Sequence, residues 1–297
     1  MYSRMHQTMR LHDTVGTAVS GLGKPEMSDT DFHRFADFFT ARLGFDMPPT
    51  KRSLLAGRLD QRLRELGLDS YAEYWRVLKA PEGEIEVQAA IDLITTNETS
   101  FFREPAHFEF LRRALLERRF PPRRKLRLWS AACATGEEAY SLAMLLAETL
   151  GLEASWDILA SDISQRALQR ARRGLYPLAD LRGLPPHLLN QYCLRGRDEY
   201  RGQMLIDRAL RQRVSFLPLN LVQALPAALG RFDVIFLRNV LIYFAAAIKE
   251  RVISQICGRL LPGGLLLVGS AEPLTDLGAG LEKLHPSIYR LCQGSAL

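Results

Sequence analysis

Several clusters of polar residues stand directly against apolar runs, and they define the chemistry open to this chain. The run WSAACATGEEAYS passes through a turn of small residues into Gly136, Glu137 and Glu138. A strand, a small turn and a helix N-terminus let backbone approach a nucleotide-like ligand. Two acids straight after the glycine would repel a phosphate, so the loop suits a phosphate-free nucleoside. Acids there also complement the helix dipole, by a few tenths to about 1 kcal/mol, which is a sufficient reason for either one alone. Asp162 follows an apolar run and can accept both hydroxyl hydrogens of a ribose, or serve only as a turn residue ahead of the Ser164 cap. Asn220, in FLPLNL, can pair with an adenine edge or cap a turn. FDVIFLRNVLIYF runs a buried strand into Arg238 and Asn239, then Tyr243 and Phe244; the charged and amide groups belong in a ligand crevice, while the two aromatics also suit a core. In TTNETSFFRE, Phe101 and Phe102 can anchor a linker and leave Asn97, Thr99 and Arg103 facing a cleft, or the polar groups are merely solvated.

These residues need elements to place them. Between Asp29 and Leu93, Phe32, Phe35, Ala36 and Phe39 recur at helical steps, as do Leu55, Leu59, Leu63 and Leu66. That predicts an all-helical domain over 29–94, after a mobile leader of residues 1–28. Residues 95–104 form the linker. From Lys125 onward, strand-like runs alternate with helical ones, which predicts a doubly wound α/β domain over 105–297. Such sheets bind ligands beyond the C-terminal ends of their strands. Residues 174–214 break the alternation. NQYCLR and QMLIDR read as two short strands about GRDEYRG, a small β subdomain inserted into the larger domain.

The 297 residues, 47% hydrophobic and 24% charged, fit about two globular domains. No apolar stretch reaches the roughly 18 residues of a membrane span, and the N-terminus has no signal-peptide core. The four cysteines lack pairing or ligand spacing, which fits free thiols in the cytoplasm, and the six histidines show no metal pattern. A net charge of +6 is mild and does not demand nucleic acid. Esterase, metalloprotease, P-loop and kinase signatures are missing. Lys51, Arg58 and Arg62 share a helical face by spacing, either as a solvated face or as a docking surface for an acidic partner.

Taken in order, TTNETSFFRE, WSAACATGEEAYSLAM, ASDIS, FLPLNL, FDVIFLRNVLIYF and LPGGLLLVGSAE closely resemble the chemotaxis receptor methyltransferases, the CheR family. The resemblance runs from about residue 30 to 292. It implies a helical N-terminal domain and a Rossmann-like class I methyltransferase domain with an inserted β subdomain. The implied reaction moves a methyl group from S-adenosylmethionine to glutamate carboxylates of chemoreceptor helices, giving methyl esters and S-adenosylhomocysteine, with no metal. By position in these motifs the resemblance assigns cofactor contacts to Asn97, Thr99, Arg103, Glu137, Asp162, Asn220, Leu221, Arg238 and Asn239, and an active-site role to Tyr243. Arg103 and Tyr243 are then expected to position the carboxylate, and the basic face of Lys51, Arg58 and Arg62 to meet the acidic receptor. The implied location is the cytoplasm, at membrane receptor arrays. The inserted subdomain resembles one that docks a receptor C-terminal pentapeptide in some members. Ala139 and Tyr140 depart from the pattern, since many relatives have a proline there. Two other readings stay open: a methyltransferase for RNA or a small molecule, and a non-catalytic cofactor sensor.

Overall fold

The computed structural model describes residues 25–120, 125–274 and 280–292. Ser28 opens the first helix, its hydroxyl accepting from the Asp31 amide at 3.1 Å, which satisfies one orphan donor of the first turn. Four helices follow: α1 (Asp29–Leu43), α2 (Arg52–Leu66), α3 (Tyr71–Lys79) and α4 (Glu84–Ile94). The spacing of apolar residues turns Phe35, Phe39, Leu59, Leu63, Tyr74 and Val87 into one shared core. Met27 is buried in that core too, so the helical unit begins before Asp29. The rest of the expected leader, residues 1–24, lies outside the described residues.

The larger unit runs α5 (Pro105–Leu116), β1 (Leu126–Ala131), α6 (Glu137–Leu150), β2 (Trp156–Asp162), α7 (Gln165–Arg173), β3 (Leu175–Pro177), α8 (Pro186–Tyr192), β4 (Cys193–Arg195), β5 (Gln203–Ile206) and α9 (Arg208–Arg211). It continues with β6 (Val214–Pro218), β7 (Phe232–Leu237), α10 (Ala246–Cys257), β8 (Leu260–Val268), β9 (Leu281–His285) and β10 (Ile288–Leu291). The main sheet has the order β6-β2-β1-β7-β8-β10-β9. Its first five strands are parallel, while β10 pairs antiparallel with β8 and β9. Every residue of β7 is buried, as expected of a parallel strand covered on both faces. The chain winds outward from β1 to β6, then returns to β7 beside β1 and winds the other way. The loops after β1 and β7 therefore diverge, opening a crevice between them.

The inserted segment differs from the expected hairpin. β4 and β5 do pair, but β3 joins them in a three-stranded sheet of order β3-β5-β4. Asn190, Gln191 and Tyr192 lie in α8, whose Pro186 sits in the first turn and whose Leu188 and Tyr192 bury one face. Three-residue strands are too short to display a period of two, so β3 left no pattern to find. Val214 pairs with Ile158 and already belongs to the main sheet. β9 was also not expected; of its five residues only Leu281 is buried, so its outward face reads as loop.

Candidate active site

A cavity with about 880 Å³ of empty space, partly open to solvent, lies over the C-terminal ends of β1, β2, β6 and β7. Asn97, Thr99, Arg103, Asp162, Asn220, Leu221, Arg238, Asn239 and Tyr243 all border it. Glu137 does not; it borders an adjoining cleft together with Asn97, Thr99 and Arg103.

The loop after β1 is tightly bound to the protein. The amides of Ala132 and Cys133 both donate to Ser161 O, at 2.8 and 2.9 Å. The Ala134 amide donates to Asp162 Oδ2 at 2.8 Å, and that of Gly136 to Cys133 O at 3.0 Å. These amides are thus engaged by protein acceptors, which leaves a poor nest for a phosphate. Ala132 and Ala134 adopt φ of 70° and 48°. Each alanine is held in the left-handed region at a cost of about 1–2 kcal/mol. Such strain is a common feature of functional turns.

Asp162 is buried. Its second oxygen accepts from the Ser164 amide at 2.9 Å, so backbone donors fix the carboxylate at the cavity wall. Burial raises its pKa and the backbone bonds only partly reverse this. Burial likewise raises Glu137, whose Oε2 accepts from the Thr135 hydroxyl at 2.6 Å. Asn220 caps its own turn, as one of the two readings expected, and also reaches the helical unit. Its Nδ2 donates to Arg42 O of α1 at 2.7 Å and its Oδ1 accepts from the Val222 amide at 3.0 Å. It fastens the helical unit to the cavity rim.

Arg238 is buried and turned onto protein partners rather than held free for a ligand. Its guanidinium donates to Glu138 Oε2 at 2.9 Å and to Arg103 O at 2.5 Å, and lies 3.5 Å from Glu104 Oε2. It sits 5.8 Å from the ring centres of both Phe108 and Phe236. Arg103 thereby has its backbone fixed while, among the described residues, its own guanidinium holds only Glu98 O, at 2.9 Å.

Three acids that matter here were not among the expected site residues. Glu138 accepts from Arg238 and, at 2.7 Å, from the Ser130 hydroxyl. Glu104 accepts from the Ser270 amide and hydroxyl at 3.0 and 2.6 Å and from Asn239 Nδ2 at 3.2 Å. Glu272 gathers the amides of Asn239, Ile242 and Gly269, at 2.6, 3.0 and 3.0 Å. An acid just beyond the apolar run of β8 was the available signal for Glu272. Glu104 is partly buried, which raises its pKa, but the Ser270 bonds, the Arg238 charge and Asn239 outweigh this and draw it down to about 2.

His107 stands beneath this network, buried, with Nε2 2.7 Å from the Ser287 hydroxyl. Burial and the Arg238 charge push it down to about 4. The unfolded chain takes up a proton as pH falls through about 6.5, while the folded chain resists until about 4. Stability is therefore full above about pH 6.5 and falls by about 3 kcal/mol toward pH 4. Glu104 adds a further loss below its ordinary value of about 4.3, extending toward pH 2. Urea midpoints at pH 7 and pH 5 should show the first loss, and His107→Gln should remove most of that difference.

The basic helix face is corrected by the structure. Lys51 precedes α2 in a short 3₁₀ turn, with Nζ 2.6 Å from Asp46 O. Arg58 reaches Ile94 O and the Thr96 hydroxyl, the latter at 2.9 Å, and burial lowers its pKa. Arg62 is bound to Glu86 at 2.6 Å and to Glu65 at 2.9 Å. Spacing placed these cations on one stripe but could not show that buried acceptors on α4 claim two of them.

Tyr243 borders the cavity and also an apolar groove of about 500 Å³ formed with Phe45, Met47, Leu54, Leu55 and Ile94, with Lys51 and Arg58 at its rim. Its ring lies 5.8 Å from that of Phe45, and its carbonyl accepts from the Asp46 amide at 2.8 Å.

An open doubly wound sheet with a cavity at its reversal point is the architecture of a Rossmann-like domain that binds a nucleoside-type cofactor. Residues 30–95 match the family described as CheR methyltransferase, all-alpha domain, and residues 97–288 match CheR methyltransferase, SAM binding domain. The chain is 39% identical over 260 residues to chemotaxis protein methyltransferase 2 of Pseudomonas aeruginosa, covering 87% of this chain and 92% of that protein. It is 37% identical over 266 residues to the chemotaxis protein methyltransferase of Escherichia coli (89% and 92% covered), and 36% over 271 residues to that of Salmonella typhimurium (91% and 93%). The chain belongs to the CheR methyltransferase family, and S-adenosylmethionine is its methyl donor.

Proposed function

We propose that this methyltransferase esterifies glutamate side chains on the cytoplasmic helices of methyl-accepting chemoreceptors, for sensory adaptation. One observation carries the reading: Tyr243 lines both the cofactor cavity and a neighbouring apolar groove that Lys51 and Arg58 also line. An acidic side chain entering by that groove passes Lys51 and Arg58 and meets the Tyr243 phenol with Arg103 beyond it.

The residues of the cavity suit S-adenosylmethionine: an acid for the ribose, apolar walls from Phe45, Leu219, Leu221 and Phe244, and loop amides already engaged. Asn97, Thr99, Asp162, Asn220, Leu221 and Asn239 would hold it, with Glu137 reaching from the adjoining cleft. When bound, it supplies a sulfonium methyl that passes to a carboxylate oxygen, leaving S-adenosylhomocysteine. A glutamate is ionised at neutral pH, so no residue needs to remove a proton. The protein's part is orientation and exclusion of water. Arg103 holds the carboxylate by charge, Tyr243 donates a hydrogen bond to it, and Arg238 fixes the Arg103 backbone.

The test uses tritiated cofactor and receptor-bearing membranes. Carboxyl esters release volatile methanol in base, and that release is the expected result. Label that resists base would refute esterification. A receptor C-terminal pentapeptide would add to the edge strand β4, where Leu194 is exposed. Among the described residues no helix is long and apolar enough to cross a membrane. We place the enzyme in the cytoplasm at receptor arrays.

The cations divide into two roles. Lys51→Ala should raise the KM for receptor several-fold with an unchanged melting temperature. Arg62→Ala should cost about 2 kcal/mol, because the buried Glu86, which also holds the Tyr74 hydroxyl, loses its cation. Steady-state kinetics beside thermal unfolding separates them.

A further inference from the structure

The inserted three-stranded sheet touches the site at two points that the mechanism above does not use. Tyr176, in β3, is fully buried. Its hydroxyl donates to Thr135 O at 2.7 Å, in the turn that leads into Glu137. Its ring meets that of Phe101 edge-on at 5.2 Å, and Phe101 belongs to the linker that carries Asn97, Thr99 and Arg103. A few residues on, Gly183 has φ of 88° and passes so close to the linker that a Cβ there would collide with Phe101 O. The turn is packed with equal tightness. Gly136, at φ of 96°, leaves room for a Cβ only 2.7 Å from the Ala171 Cβ and 3.0 Å from the Tyr176 hydroxyl. Burial raises the Tyr176 phenol well above its ordinary range, so the hydroxyl keeps the proton it donates.

We propose that Tyr176 is a positioning residue: the inserted sheet, through its hydroxyl and ring, sets the Thr135–Glu137 turn and Phe101, and so sets affinity for the cofactor. The proposal rests on the cavity being the S-adenosylmethionine site. Glu137 and the linker line one continuous cleft, and Tyr176 contacts the Thr135 carbonyl behind the first and the Phe101 ring behind the second. The inserted unit is thus a buttress of the cofactor site as well as an edge for a partner.

Tyr176→Phe keeps the ring on Phe101 and removes the donor, leaving Thr135 O without it. Titration calorimetry with S-adenosylhomocysteine should show about a tenfold weaker Kd, in line with one lost hydrogen bond. The KM for receptor and turnover at saturating cofactor should stay near wild type. Tyr176→Leu also removes the ring from Phe101 and should lower turnover as well. Hydrogen exchange should speed at the Gly136 and Tyr140 amides in Tyr176→Phe, even if its melting temperature falls. Wild-type affinity with unchanged exchange in Tyr176→Phe would overturn the proposal. A wild-type protein that fails to bind S-adenosylhomocysteine would instead refute the cavity assignment.

Discussion

Replacing Arg238 by methionine should destabilise the protein by about 3–5 kcal/mol and abolish most activity. The guanidinium is almost wholly buried and faces two carboxylates, Glu138 and Glu104. Methionine fills similar space against Phe108 and Phe236 but leaves both acids without their cation. Uncompensated buried charge is far costlier than a lost surface pair. Glu104 would lose one of the influences holding it near 2, so its carboxyl would titrate closer to ordinary pH. Denaturant unfolding at pH 7 measures the loss. Arg238→Met combined with Glu138→Gln should recover part of it, since one of the stranded charges is then absent. A single variant as stable as wild type would show that the network is not charged as described.

Arg103→Ala should behave in the opposite way. Among the described residues its guanidinium bonds Glu98 O, and the residue is only partly buried, so stability should change by less than about 1 kcal/mol. Turnover should fall about 10²–10³-fold, the usual effect of removing one charged or donor group aimed at a reacting centre. The KM for cofactor should rise less than turnover falls if the main role is holding the carboxylate. Arg103→Lys restores charge without the planar fork and should recover only part of the rate. Methyl-ester formation near wild type in Arg103→Ala would remove this residue from the mechanism.

The contrast between these two arginines marks where sequence reading succeeds. Both stand in polar clusters at the ends of apolar runs, and both were legible as crevice residues. What separates them is their partners, and those come from far along the chain: Arg238 meets Glu138 and Glu104 across one hundred residues or more. No local pattern encodes such a meeting. The strand–helix alternation gave the sheet, because buried parallel strands are continuously apolar and easily seen. The four-helix unit was equally plain from its aromatic spacing. Short strands such as β3 carry too few residues to show a period, so the inserted sheet was only half legible. Glu272 was visible only as an acid beyond the apolar run of β8, and its role was not. Its side chain acts on backbone amides of another strand end, and a backbone donor has no signature in sequence.

The Asn220 bond to α1 carries one more consequence. Cavity walls come from both units: Leu43 and Phe45 from one, Asp162 and Asn239 from the other, with Phe45 bridging to Phe244. A ligand seated there acts as mortar between them. Its binding free energy adds to their cohesion by mass action, so cofactor should raise the melting temperature of the four-helix unit, which supplies only two of those walls. Reciprocity then requires that any partner prying α1 away from the sheet loosens the nucleoside, and that a partner clamping them together tightens it.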